Sequence, residues 1–378
     1  MSSNPCILGI AAAMVVWTTQ PAWAEVGDDT WDKEGVAIAS NLPLLKISTS
    51  PVLRVGAGEP YKDVASAIAA LSSAGGTVLI AKGTYEIGES LRVPSHVALI
   101  GDGKDTKLRM KPGVLAHVIT NADHVTGNTD ILVRDLSIVG NLDSRGTPPG
   151  PDNPVRGNDN CRGIYFNHVG GAQVLNCFIT ETGTNSLFAE NSQDIVLVRC
   201  EEMFCFHCLN FTRCKNVTVA YCRAIRKWSG EAPYFNNTRD SKVFKNCVKG
   251  MGMDGMAFDF GSSYNDVHDN LVMGSNLSGI RLAHNANHNT IRDNTIGNSG
   301  AFRNNPMGRM DGIHLGTGAS NNTLSGNHCL DDQPVPTQRY GICISEAACR
   351  DNTIRGNIFS GKSAGKIHDL GTNNAITN

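Results

Sequence analysis

Five residues in the C-terminal half of the chain are of the types that proton transfer and anion binding require. Asp254 and Asp311 begin two similar stretches, DGMAFDF and DGIHLGT. Asp259 lies within the first stretch, His314 lies within the second, and Arg281 stands between them in SGIRLAH. Carboxylates and an imidazole can give or take a proton, and a guanidinium can hold an anionic group. These residues can act together only if the fold brings them to one place.

A short repeat supplies such a fold. Segments that begin with an apolar residue recur from residue 130 onward, and the successive steps between Cys177 and Asn294 are 23, 22, 25, 23 and 24 residues. The fourth position of these segments is occupied in turn by Leu136, Cys177, Cys200, Cys222, Cys247, Asn270, Asn294, Asn327 and Asn357. A nearly fixed period in the low twenties, filled with short strands and turns, predicts the stacked coils of a parallel β-helix.

The repeated position predicts a ladder inside the solenoid. Stacked coils lie about 4.8 Å apart, so equivalent residues sit above one another. Small apolar cysteines fill a narrow interior, and asparagines pass hydrogen bonds from coil to coil. A zinc site is the alternative interpretation of Cys205 and Cys208, but no second pair stands at zinc-finger spacing. We therefore expect no metal site there.

A second strand in each coil carries the candidate chemistry. Because alternate strand residues face outward, one column contains Tyr165, Phe188, Asn210, Tyr234, Ala257, Arg281, His314 and Cys343. Two flanking columns add Asn167, Glu190, Thr212, Asn236 and Asp259, and Arg162, Asn185, His207, Glu231, Asp254, Ser278 and Asp311. Aromatic rings suit sugar faces, and polar groups suit hydroxyls and carboxylates. We predict substrate contacts from Tyr165, Glu190, His207, Glu231, Tyr234 and Asn236.

The stacking predicts distances within this strip. Arg281 and His314 fall in neighbouring coils, about 5 Å apart at the backbone, and Asp259 lies one coil before Arg281. Asp254 and Asp311 are two coils apart, about 9–10 Å, which is near the upper limit for an inverting carboxylate pair. Three insertions, at 141–160, 297–311 and 331–340, fall before the second strand of their coils and are expected to wall a groove.

The N-terminal residues have other roles. Residues 1–24 contain an apolar run and end in AWA, which predicts a secretory signal peptide and a secreted or periplasmic protein. Residues 25–49 are interpreted as a lead segment, and 50–378 as one β-helix domain. Within YKDVASAIAALSSAGG, Val64, Ile68 and Leu71 have helical spacing, so we predict a helix that caps the open end of the solenoid.

The amino-acid composition limits the classes of partner that this protein is expected to bind. The net charge is −2, which argues against a nucleic-acid or membrane-surface partner. Nothing after the signal peptide is typical of a membrane span, and we expect a monomer. Eleven of the twelve cysteines follow residue 24, so at least one thiol is unpaired in any monomeric disulfide scheme.

The segments GGTVLIAKGTYEI and SHVALIGDG, the asparagine ladder and the repeated DGI resemble the pectate-lyase-like superfamily of right-handed parallel β-helices. The resemblance covers residues 55 to 378 and implies an all-β solenoid. The superfamily includes lyases, C5-epimerases, glycoside hydrolases and non-catalytic tail proteins, so the fold alone assigns no chemistry.

The catalytic motifs of two enzyme groups in this superfamily match the chain only in part. Asp254 matches the first aspartate of polygalacturonases, but Leu277 and Ser278 stand where their acid pair would be. Asp259 matches the aspartate of the Asp-Pro-His motif in alginate C5-epimerases, but Phe260 follows it. Neither resemblance transfers a complete active site.

We therefore expect an enzyme that acts on a uronate-containing polysaccharide by removing the C5 proton, as a lyase or an epimerase, with His314 or Arg281 as the base. The alternatives are a glycoside hydrolase that uses Asp254 and Asp311, and a non-catalytic glycan-binding solenoid. No cofactor is required, although a calcium ion that bridges a carboxylate and the substrate is compatible with this groove.

Overall fold

The computed structural model describes residues 34–35, 37–38, 45–48, 50–141, 161–203, 205, 207–225, 230–301, 308–361 and 365–378, without the side chains of Met203 and His207. The predicted signal peptide, most of the lead segment and most of the insertion at 141–160 lie outside these residues. The proposed domain limits therefore stay predictions.

Within the described part of the chain, three parallel sheets account for almost all of the regular structure and contain the following strands. Sheet I has 13 strands: Val52–Val55, Gly76–Ile80, Val97–Ile100, Asn128–Arg134, Val169–Leu175, Gln193–Val198, Lys215–Ala220, Lys242–Phe244, Asp266–His268, Thr290–Arg292, Thr323–Ser325, Thr353–Arg355 and Ala375–Thr377. Sheet II has 11 strands: Leu91–Val93, Ile119–Asn121, Ile164–Asn167, Asn185–Glu190, His207–Thr212, Tyr234–Asn236, Met256–Asp259, Ile280–Leu282, Ile313–Leu315, Tyr340–Ile344 and Gly365–Asp369. Sheet III has 11 strands: Gly83–Ile87, Thr106–Met110, Ser137–Val139, Phe178–Thr180, Glu201–Met203, Arg223–Ile225, Cys247–Lys249, Leu271–Met273, Thr295–Gly297, His328–Asp331 and Ile358–Gly361.

The chain visits the sheets in a fixed order and pairs each strand with its equivalent in the next coil. Within sheet II, Ala257 aligns with Arg281, and Arg281 aligns with His314. This register confirms the predicted right-handed parallel β-helix. A side chain is thus positioned by its place in the coil rather than by its sequence neighbours.

The core is the inside of this tube. Phe211, Phe235 and Phe258 stack in successive coils, with ring centroids 5.3 and 5.2 Å apart and ring planes nearly perpendicular. All three are fully buried. Edge-to-face pairs of this kind add to the stabilisation that burial provides. The alternation of inward apolar and outward polar residues along each strand follows from the two-residue period of the backbone.

The interior ladder corrects one predicted alignment. The side chain of Asn246, not that of Cys247, follows Cys222, because the Oδ1 atom of Asn246 accepts a hydrogen bond from the Cys222 backbone N–H. Cys247 instead aligns with Arg223 on sheet III and is half-buried. With Asn246 in the ladder, the steps from Cys222 to Asn246 and from Asn246 to Asn270 become equal in length.

Asparagines continue the ladder by the predicted mechanism. Asn294 donates from Nδ2 to Oδ1 of Asn327 at 2.9 Å and to the Val267 carbonyl oxygen at 2.9 Å. Its own Oδ1 accepts from the backbone N–H and the side-chain amide of Asn270. A second ladder, from Asn265 through Asn289, Asn322, Asn352 and Asn374, was not predicted.

The predicted capping helix is present and spans Val64–Ala69. Asp63 caps it by accepting a hydrogen bond from the Ser66 backbone N–H at 2.8 Å. Val64 and Ile68 are buried in the same core as the strands of the first coils. The helix ends earlier than Gly75, the predicted stop. No helix among the described residues is both long and apolar enough to span a bilayer.

Candidate active site

The outward column of sheet II holds the candidate residues in the predicted order. Tyr165 aligns with Phe188, Tyr234 with Ala257, and His314 with Cys343. A glycine just before the inward residue that opens the strand allows close packing. At Gly255, for example, an added Cβ would lie 2.3 Å from Val272 Cγ1, so only glycine fits. The strand that follows is thereby held close to the neighbouring sheet.

Arg281 is the centre of a buried charge cluster. Its Nε donates to Asp254 Oδ2 at 2.7 Å, and its Nη1 donates to both oxygens of Asp259 at 2.8 and 2.6 Å. Its Nη2 lies 3.5 Å from Glu231 Oε1. Asp254 also contacts Arg309 at 3.3 Å. Three carboxylates from two preceding coils therefore converge on one guanidinium, and the planar fork fixes their relative positions.

The charges in this cluster determine which groups can exchange protons. Burial opposes the charge of Arg281, but Asp254, Asp259 and Glu231 outweigh that effect and raise its pKa. Arg281 is therefore held protonated, and the structure disfavours its predicted role as a base. Burial raises the pKa of Glu231 to about 7; Arg281 opposes this shift, and the charges of Asp254 and Asp259 add to it. Glu231 thus keeps a proton that it can donate near neutral pH.

Tyr234 is a second proton carrier beside Glu231. Burial, followed by the charges of Asp259 and Glu231, raises the pKa of its hydroxyl. Tyr234 and Glu231 line one cavity of about 310 Å³, together with Asn210, Met253 and Arg281. The phenol is therefore held in its protonated form, as a donor facing the groove.

His314 is oriented by an acid of its own coil. Its Nδ1 lies 2.8 Å from Asp311 Oδ2, and Arg339 donates to both oxygens of Asp311 at 3.1 and 2.9 Å. An ionised carboxylate can only accept, so Nδ1 carries the proton and Nε2 is left as the acceptor. A methyl group added at Gly316 would lie 3.1 Å from Nε2, so the glycine keeps that nitrogen accessible.

The Nε2 side of His314 borders a second cavity, of about 290 Å³. Arg281, Arg309 and Arg339 line it, with His284 and Glu346. Asp254 and Asp311, which balance these arginines, are fully buried beneath it. Hydrogen-bond donors therefore face this cavity while most of the negative charge lies below, an arrangement suited to a carboxylate-bearing ligand.

The paired-carboxylate hypothesis gains no support from the positions of Asp254 and Asp311. Asp254 is bound by Arg281 and Arg309, and Asp311 by Arg339 and His314. Neither carboxylate is exposed to the groove, because both are fully buried.

Arg309 and Arg339 are site residues that the sequence analysis did not name. Both lie in insertions that were predicted to wall the groove, 297–311 and 331–340. The position of the insertions was therefore the available signal. Within the first of them, residues 302–307 lie outside the described part of the chain.

The N-terminal half of the groove is aromatic. The rings of Tyr165 and Phe188 stack at 5.8 Å, and the Arg162 guanidinium lies 4.8 and 4.4 Å from their centroids. Glu190 accepts a 2.5 Å hydrogen bond from the Tyr165 hydroxyl and pairs with Arg213 at 3.0 Å. These groups lie three or more coils from Arg281, about 14 Å or further. They extend the groove rather than belonging to the charge cluster.

The structure gives only the strand alignment of the two remaining predicted substrate contacts. Asn236 aligns with Asp259 at the edge of the groove. His207 aligns with Asn185, and its side chain lies outside the described part of the structure.

Cys205 and Cys208, considered above as zinc ligands, are both buried. Among the described residues, three donors that could hold a metal ion come together elsewhere, at Asp311, His314 and Cys343, with ligand atoms within 4.8 Å of one another.

Comparison with known proteins gives one family match. Residues 208–378 match the family described as periplasmic copper-binding protein (NosD), which is less than half of the chain. No curated protein matches this chain.

Solved structures give wider matches at low identity. The mannuronan C-5 epimerase AlgE4 A-module of Azotobacter vinelandii is 13% identical, with a TM-score of 0.57 over 86% of this chain and 100% of that one. The DFA-IIIase of Arthrobacter chlorophenolicus A6, in complex with DFA-III, is 14% identical, with a TM-score of 0.62 over 84% and 85%. The family 28 exopolygalacturonase of Yersinia enterocolitica is 11% identical, with a TM-score of 0.52 over 83% and 75%.

These likenesses show that the chain has the parallel β-helix fold.

Proposed function

We propose that this protein is an exported polysaccharide-modifying enzyme that removes the C5 proton of a uronate residue, as a lyase or an epimerase. The observation that carries the proposal is the cavity beside His314. It combines an imidazole nitrogen oriented as an acceptor with three guanidinium groups, Arg281, Arg309 and Arg339. Two similar structures are named for uronate polymers, mannuronan and polygalacturonate, which supports the substrate class.

The proposed chemistry begins with charge neutralisation. A guanidinium that binds the C6 carboxylate draws electron density from C5 and makes its proton more acidic. Nε2 of His314 takes that proton, and Asp311 stabilises the imidazolium that forms. Arg309 and Arg339 are partly exposed at 20% and 34%, so they can reach a substrate carboxylate, whereas Arg281 is bound from below.

The fate of the resulting carbanion defines the product. In a lyase, the electron pair forms the C4–C5 double bond as the C4–O4 bond breaks, and the leaving oxygen takes a proton. In an epimerase, C5 takes a proton on the opposite face. Glu231 and Tyr234 line the cavity on the other side of Arg281 and are both held protonated, so either can supply this proton.

Glycoside hydrolysis is the competing reaction at the same groove. It requires one protonated acid and one carboxylate. Glu231 and Asp259 meet this requirement better than Asp254 and Asp311, because both contact the same guanidinium and Glu231 has a pKa of about 7. In that case Glu231 is the acid and His314 is dispensable, which makes the two reactions separable by mutation.

The test is a panel of polymannuronate, polygalacturonate and neutral glycans with three variants. We expect an ultraviolet absorbance rise from an unsaturated uronate, or deuterium incorporation at C5, with the wild-type protein. His314→Gln should lower kcat by about 100-fold or more. The control, His328→Gln, changes a histidine on sheet III that contacts Ser360 and should leave activity unchanged. New reducing ends without unsaturation, lost in Glu231→Gln but kept in His314→Gln, would establish the hydrolase and overturn the C5 mechanism.

Copper binding is a second candidate function, favoured by the family match and by the cluster of Asp311, His314 and Cys343. A thiolate and an imidazole are donors that suit copper. The cluster already contains a cation, because Arg339 Nη2 lies 2.9 Å from Asp311 and 3.6 Å from Cys343 Sγ. Burial raises the pKa of the Cys343 thiol to about 12. A bound ion would therefore displace Arg339 and release the thiol proton.

Cys343→Ser distinguishes the two functions. If the cluster is a copper site, this variant should bind copper ions at least about 10-fold more weakly than wild type by competition with a colorimetric chelator. If His314 acts only as a base, Cys343→Ser should keep its activity on the uronate polymer. Unchanged copper affinity in both Cys343→Ser and His314→Gln would remove copper binding at this cluster from consideration.

A further inference from the structure

Two aromatic side chains are exposed on one turn beside the candidate site. Phe260 is 49% exposed and Tyr264 is 59% exposed. They are the exposed Phe, Tyr or Trp side chains among the residues that the structure describes, and they lie four positions apart on the same coil. Their turn connects sheet II, where the strand Met256–Asp259 ends, to sheet I.

Each ring stacks on a histidine of the next coil. Phe260 and His284 have ring centroids 4.5 Å apart and an interplanar angle of 6°. Tyr264 and His288 are 5.0 Å apart at 5°. The rings thus form two parallel steps along the solenoid. The outer faces of Phe260 and Tyr264 point toward the preceding coil.

The preceding coil leaves those outer faces uncovered. The equivalent positions there are Asn237 and Asp240, which are short and exposed. Flat aromatic faces open to solvent at two neighbouring points are suited to stacking against the apolar faces of sugar rings.

The two aromatic residues occupy turn positions with a left-handed backbone. Phe260 and Tyr264 have φ values of 52° and 57°, in the left-handed region. Asn237 and Asp240 have φ values of 49° and 56°, and their residue types tolerate this region. Bulky aromatic side chains are sterically disfavoured there. Other large residues of this chain, such as Arg213, Tyr221 and Lys245, share this φ region, so Phe260 and Tyr264 are distinguished by their exposure and not by their backbone.

Polar groups continue the same surface beyond the two histidines. A cavity of about 530 Å³ is lined by Asn285, Asn287, Asn321 and Arg350, with Ser320. Planar amides and a guanidinium are suited to sugar hydroxyls and carboxylates. Aromatic steps beside a polar cavity supply both kinds of contact that a carbohydrate chain uses.

This surface is continuous with the candidate active site. Phe260 directly follows Asp259, and its stacking partner His284 lines the cavity that contains His314. A polymer that leaves the groove across this edge would reach the aromatic steps without crossing another element.

We propose that Phe260, Tyr264 and their histidine partners form an accessory glycan-binding surface that holds the polysaccharide outside the catalytic groove. The uronate character of the chain rests on the proposed function, whereas the stacking on sugar rings does not. The surface would favour chains long enough to occupy the groove and the turn at the same time.

The experiment uses the double variant Phe260→Asn and Tyr264→Asn in the full-length protein. Binding to polymannuronate, polygalacturonate and dextran is measured by affinity electrophoresis, and thermal unfolding is followed in parallel. For the polymer that slows the migration of the wild-type protein, we expect the double variant to bind about 10-fold more weakly. The melting temperature should stay unchanged or rise, because asparagine suits the left-handed backbone. Ile358→Thr, which alters another exposed apolar residue on sheet III, should bind as wild type does.

Each outcome decides the proposal. Unchanged binding in the double variant overturns it, as does a wild-type protein that binds none of the three polymers. A fall in melting temperature with unchanged binding shows that the rings only stabilise the fold. Sedimentation that shows a wild-type dimer and a variant monomer, without glycan binding, assigns the surface to self-association instead. His314→Gln should bind the polymer normally, so a failure of the catalytic proposal is distinguishable from a failure of this one.

Discussion

The protonation of Glu231 has a measurable effect on stability. Its pKa is about 7 in the folded protein against 4.5 for an ordinary glutamate, because burial penalises the charged form. Below pH 4.5 the carboxyl is protonated in both the folded and the unfolded state. As the pH rises from 4.5 to 7, the unfolded chain loses this proton while the folded protein retains it. Folding therefore becomes less favourable with rising pH across this window.

The magnitude follows from the two pKa values. A difference between 4.5 and about 7 corresponds to about 3 kcal/mol, with a slope of about 1.4 kcal/mol per pH unit between them. No discount for solvent screening is needed, because Glu231 is only 6% exposed. Above pH 7 the folded protein also ionises Glu231, and the loss is complete.

Glu231→Gln isolates this contribution. Glutamine is neutral at every pH and has nearly the same shape, so the variant should lack the slope. Urea unfolding of both proteins at intervals between pH 4.5 and 8 gives the free energy of unfolding for each. The difference between wild type and variant should fall by about 3 kcal/mol over the range. Other titrating groups are common to both proteins and cancel in the difference.

Infrared spectroscopy gives an independent measure of the same proton. The carbonyl band of a protonated carboxylic acid should be present in wild type at pH 6, absent in Glu231→Gln, and lost with a midpoint near pH 7. A midpoint near 4.5, or parallel stability profiles for the two proteins, would refute the assignment of Glu231 as a proton donor at neutral pH.

Three further substitutions test the site and the solenoid. Arg281→Met leaves Asp259 buried without its guanidinium and Asp254 with Arg309 alone, and should cost about 3–5 kcal/mol in urea unfolding; a cost below about 1 kcal/mol would mean that the two acids are protonated. Gly316→Ala should lower activity on the uronate polymer about 10-fold or more with little change in melting temperature, because the methyl group lies 3.1 Å from the Nε2 atom of His314; full activity would place the substrate elsewhere. Asn294→Ala should cost about 2–3 kcal/mol, because the backbone N–H of Asn270 and a buried carbonyl lose their partner; a neutral result would show that water replaces the ladder.

The fold and the outward column were predictable because both depend on periodicity alone. In sheet II, a glycine before the inward residue marks the register in five of the coils, and no other residue fits at Gly255 or Gly279, where an added Cβ would lie 2.3 or 2.2 Å from a neighbouring side chain. In sheet III, the single misplacement was Cys247. Cys247 resembles the ladder cysteines in type, but Asn246 occupies the ladder position. Cys247 is the next residue along the chain, and it aligns with Arg223 on the outward side of the strand. Residue type is a weaker guide than step length in a repeat of nearly constant period.

The chemistry of the site was less predictable, because it depends on side-chain direction and burial. The sequence placed Arg281 beside Asp259 but could not show that three carboxylates share its guanidinium. Glu231 was predicted only as a substrate contact, since the burial that raises its pKa belongs to the folded state. Arg339 comes from an insertion whose residues have no fixed place in the repeat. No periodic argument can locate such a residue.

Arg281 links the two halves of the proposed mechanism. It lines both the cavity of Glu231 and Tyr234 and the cavity of His314. The charge of Arg281 is the main influence that lowers the pKa of Glu231, whereas burial and the charges of Asp254 and Asp259 raise it. The charge of Arg309 also lowers the pKa of Glu231, so a substrate carboxylate that binds Arg309 would favour the protonated acid. Binding of an anionic sugar would therefore help to keep the proton that a later step consumes, whereas a neutral sugar would not. Under the proposed function, the same cluster would therefore favour uronates over neutral glycans.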